Sequence, residues 1–397
     1  MMDHIFAVSA PGLEPYTAQE IHHLGLLPGA QRANLRTITS DRARITEEGG
    51  GIEFEGDLSV IYRLNLHLRT ASRVLVRFAE FNAVSFPELR KKASRLSWER
   101  YLQPGQRAAL RVTCHKSRLY HSDAVAERVA GAIGDRLGAP VEMVKYDEGG
   151  APPLPQLFVV RLVNDHCTIS VDSSGAGLHR RGYRLASARA PLRETLAAGV
   201  LLASGWDVKS SLLDPFCGSG TIPIEAAMMA RRLAPGRSRR FAFMDWPGFD
   251  LQLWESLLAE ADQQRVDSGD SSARIEILAS DRDAGAVQMS IANAERAGVK
   301  DAIMFSRRAV SAIEPPSQGW MVTNPPYGMR VSRSKDLRNL YAQLGNVLRR
   351  QCQGWHFAFL CNDPRLYHQL GFEVNDELAL VNGGVHVRLV RGAVPSA

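Results

Sequence analysis

The run SLLDPFCGSGTIPIEAAMM (211–229) constrains this chain more than any other stretch, because it is typical of a strand, a glycine-rich turn and a helix. The strand ends at Asp214 and the helix begins at Thr221. Gly218 and Gly220 allow the backbone to turn tightly and to approach a ligand closely, and the first amides of the helix can hold a polar group. This order of elements predicts an open α/β sheet with a ligand site at the carboxyl ends of its strands.

The glycine spacing differs from the GxGxxG pattern of dinucleotide-binding folds. An acidic residue directly before the loop, Asp214, would repel a pyrophosphate, whereas it suits the ammonium group of an amino-acid-like cofactor. We therefore expect S-adenosylmethionine rather than NAD, and we expect Cys217 to be a small packing residue rather than a nucleophile. The residues predicted to hold the cofactor here are Asp214, Pro215, Cys217, Gly218, Ser219, Gly220 and Thr221.

A second predicted strand, ARIEILAS (273–280), is followed by Asp281 and Asp283 in the run SDRD. A carboxylate at this place binds ribose hydroxyls in nucleotide-binding α/β folds, so both residues are assigned to the cofactor. Asp281 is favoured for the ribose, and Asp283 can instead cap the next helix. This acidic pair follows the glycine loop at an unusually large distance, and the excess falls in 231–272, an insertion rich in arginine and containing tryptophan. We expect the insertion to cover the site or to hold RNA.

The run GWMVTNPPYGMR (319–330) places Asn-Pro-Pro-Tyr at the end of a buried strand, where two prolines enforce a rigid, extended backbone. The exocyclic amine of a base is conjugated and nearly planar, so its lone pair is a poor nucleophile. The side-chain oxygen of Asn324 and the carbonyl of Pro325 can accept hydrogen bonds from its two N–H groups and so direct that lone pair toward a methyl donor. Tyr327 offers a ring on which an extruded base can stack. We therefore assign catalysis to Asn324, Pro325, Pro326 and Tyr327.

The two halves of the chain differ in their pattern of predicted strands and helices. Up to about residue 172, short β-like runs alternate with helical stretches, which predicts small α+β modules. Residues 173–190 form a connector rich in glycine, serine and arginine. After Pro191, strands alternate with longer helices, as in a doubly wound sheet, so we place a domain boundary at the connector.

Positive charge in the first half predicts a nucleic-acid partner. Residues 60–120 contain 13 Lys or Arg and only three acidic residues, and just seven of the chain's 48 basic residues are Lys. Guanidinium groups suit phosphate contact and stacking on bases. The simpler alternative is a solvated basic face in an arginine-rich chain. Within the connector, the residues interpreted as RNA contacts are His179, Arg180, Arg181, Tyr183 and Arg184.

Other features exclude several classes of protein. The five cysteines are scattered without a CxxC pair, which argues against a disulfide framework and against a metal site. We found no apolar run near the roughly 18 residues needed to span a bilayer. The first residues carry an acidic group where a signal peptide would be basic. We therefore expect a cytoplasmic protein with no membrane partner and no metal.

The strings D-P-F-C-G-S-G-T and N-P-P-Y resemble the class I S-adenosylmethionine-dependent methyltransferases that modify exocyclic or amide nitrogens. LHRRGYR (178–184), APLRETLAA (190–198) and the basic first half are similar to the THUMP-domain RNA guanine-N2 methyltransferases, especially the bacterial enzymes for 23S rRNA. The resemblance implies an α/β fold class with a C-terminal Rossmann-like seven-stranded methyltransferase sheet and a basic N-terminal half that binds structured RNA. The expected domains are a ferredoxin-like α+β segment (1–65), a THUMP domain (66–172), a linker (173–190) and the methyltransferase domain (191–397).

The resemblance also implies roles for particular residues. The glycine loop and Asp281 would surround the cofactor, and residues 324–327 would surround the target base. The family usually has an acidic residue near the adenine amino group, but Ala309 occupies that place here, which leaves backbone groups or Glu314 for this contact. The last hairpin of the sheet would turn at Asn382-Gly383.

Alternative functions stay open at this point. The same Asn-Pro-Pro-Tyr motif serves methylation of adenine N6 in DNA and of glutamine in proteins, although the basic first half argues against a protein substrate. Transfer RNA is the alternative to ribosomal RNA as the molecule that carries the methylated guanosine. A non-catalytic RNA-binding protein with a relict methyltransferase domain is the alternative to an enzyme, and the intact Gly218, Gly220 and Asp281 argue against it.

Overall fold

The structure is a computed structural model that describes residues 2–26, 39–40, 43–45, 50–150, 153–184, 192–266, 275–327, 334–374 and 376–396. The chain forms two compact units. The first contains Met1–Ser9, Ala18–Leu178 and Arg239–Leu258, and the second contains Ala10–Thr17, His179–Ser238 and Ala259–Ala397. The expected linker, 173–190, is therefore divided, since residues 173–178 belong to the first unit and residues 179–184 to the second.

A nine-stranded sheet in the order β2-β3-β4-β1-β5-β9-β8-β6-β7 organises the first unit. It is antiparallel except that β6 runs parallel to β7 and β8. Its strands are β1 (Asp3–Ser9), β2 (Thr39–Ser40), β3 (Ala43–Ile45), β4 (Gly51–Gly56), β5 (Ala71–Asn82), β6 (Arg107–His115), β7 (Glu142–Met143), β8 (Gln156–Val163) and β9 (His166–Asp172). The helices of this part of the chain are α1 (Glu14–His23), α2 (Leu58–His67), α3 (Phe86–Ala93) and α4 (Ser122–Leu137).

Part of the 231–272 insertion completes the core of the first unit. Phe241 and Phe243 are buried, and Phe243 stacks on Tyr62 with ring centroids 4.3 Å apart. The indole N–H of Trp246 donates to Oε1 of Gln156 at 2.8 Å. The aromatic side chains of 239–258 are therefore used in this core. The expectation that the insertion covers the site or holds RNA stays a prediction.

The second unit contains a seven-stranded sheet in the order β12-β11-β10-β13-β14-β16-β15. Strands β10 to β14 are parallel, whereas β16 is antiparallel to both of its neighbours. The strands are β10 (Leu212–Asp214), β11 (Ile277–Asp281), β12 (Ile303–Arg307), β13 (Trp320–Thr323), β14 (His356–Cys361), β15 (Asp376–Asn382) and β16 (Val385–Ala393). The remaining helices are α5 (Glu194–Ser204), α6 (Thr221–Ala230), α7 (Leu251–Gln263), α8 (Ala284–Arg296), α9 (Ser334–Gln351) and α10 (Pro364–Tyr367).

Alternate residues of these strands enter two separate apolar clusters. Leu212 and Val322 pack in one cluster with residues of α5 and α6, while Leu213 and Met321 pack in the other with residues of α9. Both faces of the sheet are therefore covered, as a parallel sheet requires. Successive strands run outward from β10 to β12, and the chain then returns to place β13 on the other side of β10. Such a reversal of strand order opens a crevice at the carboxyl ends of the strands.

The last hairpin turns one residue later than expected. Asn382 is the final residue of β15 and pairs with Val385, so the turn consists of Gly383 and Gly384. Both glycines have positive φ, +57° and +84°. A two-residue hairpin turn of this kind needs positive φ at both positions, which two glycines meet without strain.

Within the described ranges, no helix is both long and apolar enough to cross a membrane. The same residues contain no cluster of three or more His, Cys, Asp and Glu side chains arranged to bind a metal.

Candidate active site

Asp214 ends β10 at the reversal of strand order, beside the end of β13. Its Oδ1 accepts a hydrogen bond from the hydroxyl of Thr323 at 2.5 Å and from the amide of Phe216 at 3.1 Å. The side chain is buried, and burial together with the charge of Asp281 raises the pKa of Asp214 to about 7, against the opposing effect of the two hydrogen bonds. A buried carboxylate of this kind binds a cation favourably, since a cation removes the cost of its charge.

The two glycines of the loop both have positive φ, but their surroundings differ. Gly218 has φ of +53°, and a Cβ at this position would point into open space. Gly220 has φ of +84°, and a Cβ there would lie only 2.1 Å from Oγ of Ser290 on α8. Glycine at 220 therefore permits the close packing of the loop on α8, and glycine at 218 leaves one side of the loop open.

Asp281 holds the same loop from the neighbouring strand. Its Oδ2 accepts from the amide of Gly218 at 3.1 Å, and its Oδ1 accepts from the amide of Asp283 at 2.9 Å. Asp283 caps α8, because its Oδ1 accepts from the amides of Gly285 at 2.7 Å and Ala286 at 3.4 Å. The alternative reading of Asp283 as a helix cap is thus what the structure shows, and its contact with the cofactor stays a prediction.

The other predicted loop residues are packed closely. Cys217 is buried in the apolar cluster, and burial together with the charges of Asp214 and Asp281 raises the pKa of its thiol. This environment disfavours a thiolate and fits a packing role. Pro215, Ser219 and Thr221 are also buried. Their contacts with the cofactor stay predictions.

Asn324 follows β13 directly, so it lies at the strand end next to Asp214. Its Oδ1 is buried and has no hydrogen-bond partner among the described residues. Leaving a buried acceptor unpaired costs about 1–3 kcal/mol, so this atom is suited to receive an N–H group from a ligand. Pro325 is buried beside it and Pro326 is half-buried.

Tyr327 is held by the last hairpin of the sheet. Its hydroxyl accepts a hydrogen bond from Nδ2 of Asn382 at 2.8 Å, and its half-buried ring packs against both apolar clusters. Residues 328–330 of the motif lie outside the described residues. Asn382 and Thr323 were not predicted as site residues. A hydroxyl directly before Asn-Pro-Pro-Tyr was a readable signal for Thr323, whereas the contact of Asn382 depends on the fold.

Two of the predicted RNA contacts are internal. Arg181 and Tyr183 are almost fully buried. The hydroxyl of Tyr183 donates to Oε1 of Glu225 at 3.2 Å, and Nε of Arg181 lies 3.5 Å from the same oxygen. The expectation that these two side chains contact RNA is therefore wrong, since both are buried against a carboxylate on α6, which Arg181 neutralises and Tyr183 hydrogen-bonds.

Arg184 supports the start of α6 in a similar way. Its Nη2 donates to Oγ1 of Thr221 at 2.6 Å and to the carbonyl of Leu192 at 3.1 Å, and its Nε lies 3.1 Å from Oε1 of Glu194. Only 11% of its side chain is exposed, so these internal contacts account for most of the guanidinium group, and its RNA contact stays a prediction. Arg180 is exposed and His179 half-buried, and their RNA contacts remain predictions.

We expect Arg184→Ala to lower the free energy of unfolding by about 3 kcal/mol, because it leaves Glu194 buried without its cationic partner. Burial already raises the pKa of Glu194, and Arg184 opposes that shift. Chemical denaturation of the purified variant measures the loss. Arg180→Ala, at the exposed arginine, is the matched control and should change stability by less than about 0.5 kcal/mol. Equal stability of the two variants would show that the Arg184–Glu194 pair does not contribute to the free energy of unfolding.

The region expected near the cofactor adenine has a distinct arrangement. The amide of Arg308 donates to the carbonyl of Asp281 at 3.0 Å, which joins the segment after β12 to β11. The exposed carboxylate of Glu314 lies 2.7 Å from Nη1 of Arg308. Glu314 is therefore paired with an arginine, and an adenine contact from this residue stays a prediction.

Three sequence models of protein families match the chain. They are the RlmL ferredoxin-like domain at residues 4–75, the THUMP domain at 83–172 and the RMKL-like methyltransferase domain at 181–389. The chain belongs to the RMKL-like methyltransferase family. The expected fold class is confirmed, with ferredoxin-like and THUMP domains before a seven-stranded methyltransferase sheet. This RMKL-like family is one of S-adenosylmethionine-dependent methyltransferases, as expected.

Individual relatives agree with this assignment. A putative RNA methyltransferase of Synechocystis is 32% identical over 391 residues, which cover 97% of this chain and 95% of the relative. The ribosomal RNA large subunit methyltransferase K/L of Methylococcus capsulatus is 34% identical over 402 residues, which cover 98% of this chain but 51% of the relative. The chain therefore spans about half the length of such K/L relatives. The crystal structure of a putative methyltransferase complexed with SAH has a TM-score of 0.83 at 28% identity and covers 100% of this chain and 98% of its own.

Proposed function

We propose that this chain transfers a methyl group from S-adenosylmethionine to the exocyclic N2 of a guanosine in RNA, with 23S ribosomal RNA as the favoured substrate. The observation that carries this proposal is the buried Oδ1 of Asn324, which lies at the strand end beside Asp214 and has no hydrogen-bond partner among the described residues. An acceptor in this position suits an amine that must give up its planar geometry before it can react. An RNA substrate also accords with the cytoplasmic location expected from the sequence.

The residues around the glycine loop fit the cofactor. Asp214 supplies a buried carboxylate for an ammonium group, Gly218 leaves the loop open on one side, and Asp281 stands at the end of the next strand for a ribose. When bound, S-adenosylmethionine supplies an electrophilic methyl group: the new N–C bond forms as the S–C bond breaks, and sulfur keeps the electron pair. The chain's contribution is to bind and orient both partners at one edge of the sheet.

The Asn-Pro-Pro-Tyr segment prepares the acceptor amine. Oδ1 of Asn324 and the carbonyl of Pro325 accept hydrogen bonds from the two N–H groups of the guanine amine, which directs the lone pair of its nitrogen toward the methyl group. The ring of Tyr327 stacks on the base and is kept in place by Asn382. The methylated nitrogen loses its proton to water, so no side chain is needed as a base.

Two observations support RNA as the substrate class. The relatives cited above are named as methyltransferases of RNA or ribosomal RNA. The first unit contains the basic region 60–120, and it includes the residues that match the THUMP family. Several of these basic side chains pair with carboxylates within the unit, among them Arg73, Arg77, Arg90, Lys92 and Arg100. The exposed charge that favours a polyanion over a protein substrate is therefore that of residues such as Lys91, Arg95 and Arg107.

Transfer of a labelled methyl group to separate pools of RNA, DNA and protein tests the substrate class. We expect label in RNA alone. Label confined to DNA or to protein would replace the proposed substrate by one of the alternatives. A calorimetric titration that detects no binding of S-adenosylmethionine would favour the non-catalytic RNA-binding alternative.

A double-mutant cycle tests whether Asn382 positions Tyr327. We expect Asn382→Ala to raise KM for RNA about fivefold with little change in kcat, since one hydrogen bond is worth about 1 kcal/mol. Tyr327→Phe removes the same bond from the other side and keeps the stacking ring. Combining the two substitutions should therefore cost no more than either alone. Additive losses would show that Asn382 acts independently of this hydrogen bond.

A further inference from the structure

The loop Lys116–His121, between β6 and α4 of the first unit, exposes an aromatic pair. Tyr120 is 69% exposed, the largest exposed fraction among the large apolar side chains of the described residues. Its ring lies beside that of His121, with centroids 4.1 Å apart and an angle of 41° between the planes. Because exposed aromatic area is unfavourable in water, such a pair indicates a partner with flat apolar faces.

Positive charge surrounds this pair. Arg118 has 72% of its side chain exposed, and Lys116 is exposed two residues earlier. Burial alternates along β6, so that Arg107, Arg111 and His115 are exposed. Two acidic residues are close in sequence or space: Asp165, 3.6 Å from Nε of Arg118, and Asp123 in the first turn of α4. The balance is positive, which favours a polyanion whose chemical units also carry rings.

The loop is built to hold its shape. The amide of Arg118 donates to Oδ1 of Asp165 at 2.7 Å, the amide of Asp165 donates to Oγ of Ser117 at 3.0 Å, and that hydroxyl donates to the carbonyl of His115 at 3.0 Å. Leu119 is buried directly before Tyr120. The backbone of the loop is therefore fixed from inside, and Tyr120 is presented without a large loss of conformational entropy on binding.

We propose that the loop 116–121 binds an unpaired nucleotide of the RNA substrate, with the base stacked on Tyr120 and His121 and the neighbouring phosphates held by Lys116 and Arg118. Inside a duplex both faces of a base are covered by the neighbouring base pairs, so away from the duplex ends this pair can stack only on an unpaired base. The inference rests on the proposed function for the RNA class, and it adds a binding surface in the first unit, outside the site at Asn324.

Fluorescence anisotropy with two labelled RNAs tests the proposal: a hairpin with an unpaired loop, and a long duplex that contains the same stem, in which the exposed faces at the ends are few relative to the internal base pairs. Stacking on an aromatic side chain is worth about 1–3 kcal/mol per base, so Tyr120→Ala should weaken hairpin binding about tenfold and leave duplex binding unchanged. Tyr120→Phe should bind the hairpin like the wild type. Arg118→Ala should weaken both and reduce the salt slope by about one. Val84→Ala, at another exposed apolar residue of the first unit, is the control.

Each result supports or rejects the surface. Hairpin binding by Tyr120→Ala that equals wild type overturns the proposal, and so does an equal loss for hairpin and duplex, which would indicate backbone contact alone. The proposal is also overturned if Tyr120→Ala lowers the affinity for anionic vesicles or for an acidic peptide and leaves the affinity for hairpin RNA unchanged. The proposed function fails separately, when the wild-type chain methylates DNA or protein but not RNA.

Discussion

Asn324→Ala is expected to abolish methyl transfer and to leave the affinity for S-adenosylmethionine nearly unchanged. The substitution removes the buried Oδ1 that has no partner among the described residues, and with it the acceptor proposed for the guanine amine. The cofactor contacts proposed at Asp214 and the glycine loop do not involve this atom. Loss of one preorganised polar group that acts on the reacting centre costs on the order of 100- to 1,000-fold in kcat.

Single-turnover methylation and calorimetric titration with S-adenosylmethionine measure the two effects separately. Asn346→Ala is a matched control, because it makes the same chemical change at an exposed position of α9. It should retain wild-type turnover. Unchanged methylation by Asn324→Ala would reject the assignment of the base pocket, and a parallel loss of cofactor binding would place Asn324 in the cofactor site instead.

Cofactor affinity is expected to rise with pH through about 7 and to depend on Asp214. Burial raises the pKa of this carboxyl to about 7 in the cofactor-free protein, so below that pH it must lose a proton before it can pair with an ammonium group. Affinity should therefore fall up to tenfold for each pH unit below 7. Asp214→Asn keeps an oxygen to accept from Thr323 but carries no charge. It should bind the cofactor about 10- to 100-fold more weakly, with little pH dependence.

The same carboxyl predicts the direction of a stability change. Its pKa in the folded protein lies above that in the unfolded chain, so the folded state binds the proton more tightly and loses stability as pH rises from about 4 to 7. Asp214→Asn should therefore raise the thermal midpoint of the cofactor-free protein at pH 8. Asp245→Asn, which removes an exposed carboxylate in the first unit, is the control for both measurements. Identical pH profiles of wild type and Asp214→Asn would contradict this account.

Motifs that combine backbone constraints with strand ends were readable from the sequence. The glycine loop and Asn-Pro-Pro-Tyr each follow a strand, and parallel strands bring their carboxyl ends to one edge of a sheet, which is where Asp214 and Asn324 lie. Asp283 had two sequence interpretations, since an aspartate before a helix is both an N-cap and a possible ligand. Only coordinates could show that its carboxylate accepts the helix amides.

The connector was misread because charge in a sequence usually indicates solvent. Arg181 and Tyr183 are buried against Glu225, a partner more than forty positions away. One signal was available: Glu225 is the lone charged residue of the apolar helix TIPIEAAMMA, and a buried carboxylate needs a cation. The aromatic residues of 239–258 were a similar signal of a core, but which unit they complete depends on tertiary contacts.

Nucleoside analysis of RNA methylated by the purified chain is the most direct test of the central claim. RNA is incubated with the chain and S-adenosylmethionine carrying a labelled methyl group, and is then digested to nucleosides and separated. The account predicts label in N2-methylguanosine, and none when Asn324→Ala replaces the wild type. Label in N6-methyladenosine, or in N2-methylguanosine with Asn324→Ala, would contradict it.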